Sequence, residues 1–191
     1  PTITHHSKTV EEGQEATIGS SDLAATDSDS VHADPELKYT VTKKPVYGTL
    51  SFDDNEVIEG TTTFTPTDIT SGLVSYTHDG TETTADTFKL KAEDAAGLSG
   101  DEETFTITVV PANDAPTITN KDLTVAEGET KTIGSTDLVA TDTDHGDDTA
   151  LIYTVTELPS TGQLTVKGSL IAKDRDLYAQ PLTFTRADIE N

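Results

Sequence analysis

The sequence predicts an all-β fold, built as tandem Greek-key β-sandwiches of which the second is incomplete. Three observations carry that expectation. Short stretches alternate apolar and polar residues, turn-forming residues punctuate them, and two long stretches are the same text written twice. Strict alternation sends every second side chain to one face of a pleated strand, so each sheet buries one face and wets the other.

Taken in order, the candidate strands are Thr2–Thr9, Leu37–Thr42, Thr49–Phe52, Val74–Thr77, Phe88–Ala92 and Phe105–Val109. Turn signals fall between them at Tyr47-Gly48, Asp53-Asp54-Asn55, His78-Asp79-Gly80 and Ala96-Gly97. Many short strands joined this way read as an antiparallel sandwich. One short helix is expected at Thr65-Pro66-Thr67-Asp68-Ile69, where an N-cap residue precedes Pro at the first helical position and an acid in the first turn.

The repeat sets the domain organisation. Pro1-Thr2-Ile3-Thr4 recurs as Pro116-Thr117-Ile118-Thr119, Val10/Glu12/Gly13 as Val125/Glu127/Gly128, and Thr26-Asp27-Ser28-Asp29 as Thr141-Asp142-Thr143-Asp144. Each pair is separated by 115 positions, so no residue is gained or lost across that span. The expected layout is a first repeat at 1–110, a Pro-flanked linker at 111–116 and a second repeat at 117–191. Pro111 and Pro116 fix their own backbone and remove donors, which makes the linker extended and stiff. In the second copy nothing corresponds to Gly72–Val110, the last strands of a sandwich. Open sheet edges would follow, so either the chain is cut from a larger protein or another chain completes the fold. The start at Pro1 likewise reads as an excerpt.

Charge narrows the function classes. Twelve Lys and Arg against 35 Asp and Glu give a net charge of −23 over 191 residues. A phosphate backbone demands a basic face, so a nucleic-acid partner is excluded, and an anionic membrane surface is disfavoured for the same reason. Leu, Ile, Val and Phe together are only 41 of the 191 residues, a thin core under strong self-repulsion. Bound divalent cations would stabilise such a chain. Absence of Cys rules out disulfides and thiolate metal sites and fits a secreted protein that does not rely on oxidative folding. No apolar run reaches transmembrane length, and no basic-then-apolar leader opens the chain.

Hard divalent cations take six to eight oxygens, mostly from carboxylates and backbone carbonyls. Candidates in the first repeat are Glu12, the Asp27/Asp29 pair, Asp79 and Glu82 of His78-Asp79-Gly80-Thr81-Glu82, and Asp94; Asn113 and Asp114 belong to the linker. An Asp-x-Asp pair on a loop can aim two carboxylates at one ion, and here the pair recurs in register as Asp142/Asp144. Taken singly, each such Asp also serves as ordinary turn chemistry. Asp53-Asp54, Asp101-Glu102-Glu103 and Asp147-Asp148 read as solvated loop charges. The chain carries no Gly-x-Ser-x-Gly, His-Glu-x-x-His or phosphate-binding Gly loop, and its acids recur once per repeat in turns, so it reads as a non-enzyme. His5-His6 reads as an exposed strand pair, and His78 as a residue that fixes a turn.

Six motifs fall in one family's order: Thr9-Val10-Glu11-Glu12-Gly13, Leu23–Asp29, Pro45-Val46-Tyr47-Gly48-Thr49-Leu50, Phe64–Ile69, Gly72–Gly80 and Asp86-Thr87-Phe88. Together they resemble the chondroitin-sulfate-proteoglycan (NG2/FRAS-type) repeat, a cadherin-like family of animal matrix proteins and giant bacterial surface adhesins. The resemblance covers nearly all of residues 1–116 and resumes in 117–191; the Asn-Asp-Ala-Pro linker and acidic composition look more like the bacterial branch. It implies a cadherin-like or Ig-like sandwich and a calcium site at the junction between modules. By motif, the junction would use Glu12, Asp79, Glu82, Asn113, Asp114, Asp142 and Asp144. Asp27, Asp29 and Asp94 would face an upstream junction, and Glu127 would await a following module. The His-Asp-Gly-Thr-Glu loop departs from the cadherin acidic loop.

The reading that results is a calcium-stiffened tandem repeat of a long extracellular surface protein, acting as an extender or adhesion module. Its partners would be neighbouring repeats of the same chain, with other copies of the chain or a surface glycan or matrix as further possibilities. Two alternatives remain: a filament subunit completed by neighbouring chains, and a glycan- or matrix-binding module. The second needs exposed aromatic surface, and five Tyr with five Phe leave little to spare.

Overall fold

A computed structural model of the chain describes residues 1–28, 37–120, 122–144, 150–171 and 182–189. The chain divides into two compact units, Pro1–Ala112 and Asn113–Asn191.

The first unit runs β1 (Thr2–Glu11), β2 (Glu15–Thr17), β3 (Leu23–Thr26), β4 (Lys38–Lys43), β5 (Gly48–Phe52), β6 (Asn55–Glu56), β7 (Thr63–Phe64), α1 (Pro66–Thr70), β8 (Val74–His78), β9 (Ala85–Glu93) and β10 (Glu103–Val110). These strands form a six-stranded sheet in the order β3-β1-β10-β9-β4-β7 and a four-stranded sheet in the order β2-β8-β5-β6. The period-2 pattern decides which face is dry. Asp86, Phe88, Leu90 and Ala92 alternate inward along β9, and Phe105, Ile107 and Val109 along β10. Phe88 and Phe105 sit opposite each other in register, with ring centroids 4.5 Å apart. They join Leu50, Val74 and Tyr76 of the other sheet in one buried cluster, which makes the unit a β-sandwich.

One pairing differs from the antiparallel expectation. Ser7–Glu11 of β1 runs parallel to Thr106–Val110 of β10, while Thr2–His6 pairs antiparallel with β3 across a register shift between Ile3 and His5. No hairpin joins β1 to β10, so connectivity leaves their relative direction free. The short helix falls where the sequence places it. Thr65 and Asp68 form a reciprocal capping box, with Asp68 N donating to Thr65 Oγ1 at 3.2 Å and Thr65 N donating to Asp68 Oδ2 at 2.8 Å.

The second unit contains β11 (Thr117–Asn120), β12 (Leu138–Thr141), β13 (Ile152–Val155), β14 (Leu164–Val166), β15 (Ser169–Ile171), β16 (Leu182–Thr185) and α2 (Arg186–Ile189). Its ribbons keep the registers of the first. Ile118 faces Ala140 as Ile3 faces Ala25, and Tyr153 faces Phe184 as Tyr39 faces Phe64. The turn before β12 is also reproduced: Gly134 N donates to Asp137 Oδ2 at 3.0 Å, as Gly19 N does to Asp22 Oδ2 at 2.9 Å. The described strands nevertheless form three separate two-stranded ribbons, β11-β12, β13-β16 and β14-β15. In the first unit β10 and β9 stand between β1 and β4, and β8 stands between β2 and β5. Among the described residues of 117–191 no strand pairs between the ribbons in this way, and side chains link them instead, as where Ala140 N donates to the Tyr153 hydroxyl at 3.1 Å.

Candidate metal centre

Two groups of oxygen-bearing side chains stand out, one in each unit. In the first unit β1 runs into Glu12-Gly13, and the backbone turns at Gly13 with φ of +66°, a conformation that favours glycine. Glu12 N donates to Val110 O at 2.9 Å, and Ala112 N donates to Glu12 Oε2 at 3.1 Å. Glu12 is thereby only 6% exposed, and its other carboxylate oxygen, Oε1, is buried with no hydrogen-bond partner among the described residues. A bare buried carboxylate oxygen is costly unless a cation meets it.

The loop after β8 supplies the second acid. A carboxylate oxygen of Glu82 lies within 4.8 Å of one of Glu12. Two unit negative charges at that distance repel by about 1 kcal/mol in bulk water, and more where water is excluded. Two oxygens bound to one calcium ion are at most about 5 Å apart, so the spacing suits shared coordination. Asp79, in the same loop, is engaged locally. Its Oδ1 accepts from the Thr81 hydroxyl at 2.7 Å and from Thr81 N at 3.0 Å, and the Thr81 hydroxyl holds the Asp79 carboxyl below its ordinary range.

In the second unit the linker's Asp114 and the Asp-x-Asp pair come together. Asp114 N donates to Asp144 Oδ2 at 2.6 Å, and the Thr143 hydroxyl donates to Asp114 Oδ2 at 3.2 Å. Asp144 N donates to Asp142 Oδ1 at 3.1 Å, so the pair closes a tight turn with two carboxylates on it. Asn113 Nδ2 donates to Asp114 O at 2.7 Å. The donor set is carboxylate and amide oxygen throughout, with no nitrogen or sulfur ligand, and fits a hard cation such as calcium.

The other candidates are placed apart from these groups or play visible structural parts. Asp94 Oδ1 accepts from Leu98 N at 2.9 Å and closes the turn after β9. Asp27 follows β3, with Oδ2 3.2 Å from the Pro1 nitrogen, and Asp29 lies outside the described residues. Glu127, the repeat counterpart of Glu12, is exposed. The difference is tertiary, since no described strand pairs beside it as β10 pairs beside Glu12. His5 and His6 are both exposed on β1. Glu102 is ion-paired, Lys89 Nζ donating to its Oε1 at 2.9 Å, and Asp147-Asp148 lies outside the described residues.

Sequence reasoning missed how the two acidic loops are tied together. Gly13 N and Gly80 N both donate to His78 Nδ1, each at 3.2 Å. A glycine directly after a candidate ligand, in Glu12-Gly13 and again in Asp79-Gly80, was the available signal. Gly80 is also turned, with φ of +79°.

A two-sheet sandwich whose acids gather at strand ends defines a class of extracellular-type β modules, and comparison with known proteins narrows it. A family model described as Cadherin-like matches residues 1–109 and 116–191, and the chain belongs to that family as a CSPG/FRAS-type cadherin-like repeat. It is 32% identical over 161 residues to chondroitin sulfate proteoglycan 4 of Mus musculus, covering 82% of this chain and 6% of that protein. It is 36% identical over 161 residues to FRAS1-related extracellular matrix protein 2 of Homo sapiens, covering 81% of this chain and 5% of that protein. Extracellular matrix organizing protein FRAS1 of Mus musculus is 31% identical over 191 residues, covering 98% of this chain and 4% of that protein. The chain thus spans only about one-twentieth of the length of these relatives. It is an extracellular module of the matrix-protein kind, and none of these three relatives bears the name of an enzyme. No helix among the described residues is long and apolar enough to cross a membrane.

Proposed function

We propose that this chain is a non-catalytic, calcium-rigidified tandem repeat of a large extracellular surface protein, serving as an extender or adhesion module. The observation that carries this reading is Glu12 Oε1, a buried carboxylate oxygen without a hydrogen-bond partner among the described residues, with the Glu82 carboxylate close by. Glu12, Glu82 and Asp79 would furnish the ligands of the first repeat, and Asn113, Asp114, Asp142 and Asp144 those of the linker and second repeat. Calcium supplies positive charge to these carboxylates. Calcium held by either set binds the ordered arrangement of that repeat and not the loosened one, so it stabilises the folded repeat and stiffens the loops and linker that carry the ligands.

A spacer role fits the surface better than a glycan-binding one. Tyr47, 41% exposed, is the only exposed large aromatic among the described residues. The partners are accordingly neighbouring repeats of the same chain. Thermal unfolding with small-angle scattering tests the reading, in EDTA, in millimolar calcium and in millimolar magnesium. At a calcium concentration of about 100 times Kd, linkage gives about 2.7 kcal/mol, or a rise in Tm of roughly 10 °C for a domain of this size. The particle should become longer and stiffer at the same time. No calcium-specific change in either readout overturns the proposal.

A further inference from the structure

We propose that His78 is the positioning residue that sets the spacing of Glu12 and Glu82, an inference that rests on the calcium reading of that pair. His78 ends β8 and is 2% exposed, so its ring is part of the interior and not of the solvated acidic surface. Nδ1 accepts from Gly13 N and from Gly80 N, one on each of the two loops. The main chain repeats the link, with His78 N donating to Gln14 O at 3.0 Å. Two backbone N–H groups directed at Nδ1 leave that nitrogen no proton, so Nε2 carries it and donates to Thr83 Oγ1 at 2.9 Å.

That tautomer sets the direction of everything beyond it. Thr83 Oγ1 lies 3.3 Å from Thr81 Oγ1, and the Thr81 hydroxyl donates to Asp79 Oδ1. The chain of donors therefore runs His78, Thr83, Thr81, Asp79 and ends on a carboxylate. Glu12 immediately precedes Gly13, Asp79 immediately precedes Gly80, and Glu82 immediately precedes Thr83. Each candidate ligand of the first unit is thus one residue from a backbone or hydroxyl group hydrogen-bonded within the His78 network. The loops also approach closely, since a Cβ added to Gly13 would sit 3.9 Å from Gly80 Cα. Removing the ring acceptor frees two backbone N–H groups at once and lets the Glu12 and Glu82 loops separate.

The test is isothermal titration of the full chain with calcium chloride, beside amide exchange at Gly13 and Gly80 in EDTA. His78→Phe should weaken calcium binding by at least 10-fold and unprotect both glycine amides. His78→Asn places an amide oxygen near the position of Nδ1 and should recover most of the affinity. Thr83→Val, which keeps the ring and removes its Nε2 acceptor, gives an intermediate loss and serves if His78→Phe does not fold. Val41→Ala, a buried substitution on β4, should lower Tm while leaving the calcium affinity of the folded chain unchanged. Wild-type affinity in folded His78→Phe, or an equal loss in Val41→Ala, overturns the positioning role while the calcium reading stands. A wild-type chain that binds no calcium overturns both.

Discussion

The Tyr76 hydroxyl donates to Asp86 Oδ2 at 2.9 Å in the interior of the first unit. Asp86 is 5% exposed and also accepts from Val46 N at 3.1 Å, Tyr47 N at 2.8 Å and Thr87 N at 2.7 Å. A buried carboxylate with four donors is fully satisfied, and it pins the segment leading into β5 onto β9. Asp86→Ala removes the side-chain acceptor of three backbone N–H groups and leaves the Tyr76 hydroxyl only Tyr47 O, at 3.1 Å, so it should cost at least about 3 kcal/mol of unfolding free energy. Tyr76→Phe leaves the carboxylate its three backbone donors and should cost about 1 kcal/mol. Urea unfolding of both variants checks this, and equal losses would mean that the backbone contacts contribute little.

Gly48 makes that arrangement possible. A Cβ there would lie 2.4 Å from Thr77 O and 2.5 Å from the Tyr76 ring, so the strand passes beneath the aromatic ring only without a side chain. Gly48→Ala should cost about 3 kcal/mol through overpacking, although the same change at an exposed strand glycine would stabilise. A variant as stable as the parent would mean that β5 can shift away from β8.

Two buried tyrosines make the first unit sensitive to alkali. Burial pushes the Tyr39 phenol up to about 12, and burial followed by the Asp86 carboxylate pushes Tyr76 upward as well. The unfolded chain releases these protons near pH 10, while the folded chain keeps them. Stability is therefore unaffected by these groups below about pH 10 and falls above it, by about 1.4 kcal/mol per pH unit for each tyrosine. Denaturant unfolding between pH 9 and pH 12 reads the slope, and Tyr76→Phe should reduce it by about half.

The capping box at α1 offers a local check on the sequence reading. Thr65→Ala removes the acceptor for Asp68 N and should cost about 1 kcal/mol, whereas Thr65→Ser should be close to neutral. Chemical denaturation distinguishes the two, and an equal loss for Ser would point to the Thr65 methyl and not to the cap.

The strands of the first unit were legible because alternation survives in nearly every one, and β9 and β10 read off directly as inward Phe88, Leu90, Phe105 and Ile107. Alternation says nothing about a strand's neighbour, which is why the parallel β1–β10 pairing was not. The acids of Asp142-Thr143-Asp144 and the Asn113-Asp114 linker were visible from repetition and spacing, and Asp114 and Asp144 do meet through a hydrogen bond. Glu12 and Glu127 show the limit of such reading. The two occupy equivalent repeat positions, yet one is buried beside β10 and the other exposed, because burial depends on strands far away in sequence. Asp86 carried a signal of its own, a carboxylate at an inward position of an alternating strand, where only a satisfied polar group can stand.

The Asp-x-Asp pair separates stiffness from folding. The buried cluster of the first unit extends from Ile3 to Val109 and includes neither Asp142 nor Asp144. Replacing both by Asn keeps the side-chain shapes and removes two negative charges, which weakens attraction for a divalent cation without opening that core. The double variant in calcium should therefore keep the first unit's urea midpoint while its scattering profile moves to that of the parent in EDTA. Asp144→Asn alone should give a partial shift, because Asp142 retains its charge. A scattering profile unchanged by the double substitution would remove these two aspartates from the proposed calcium site, and a lost urea midpoint would show that the two units fold as one.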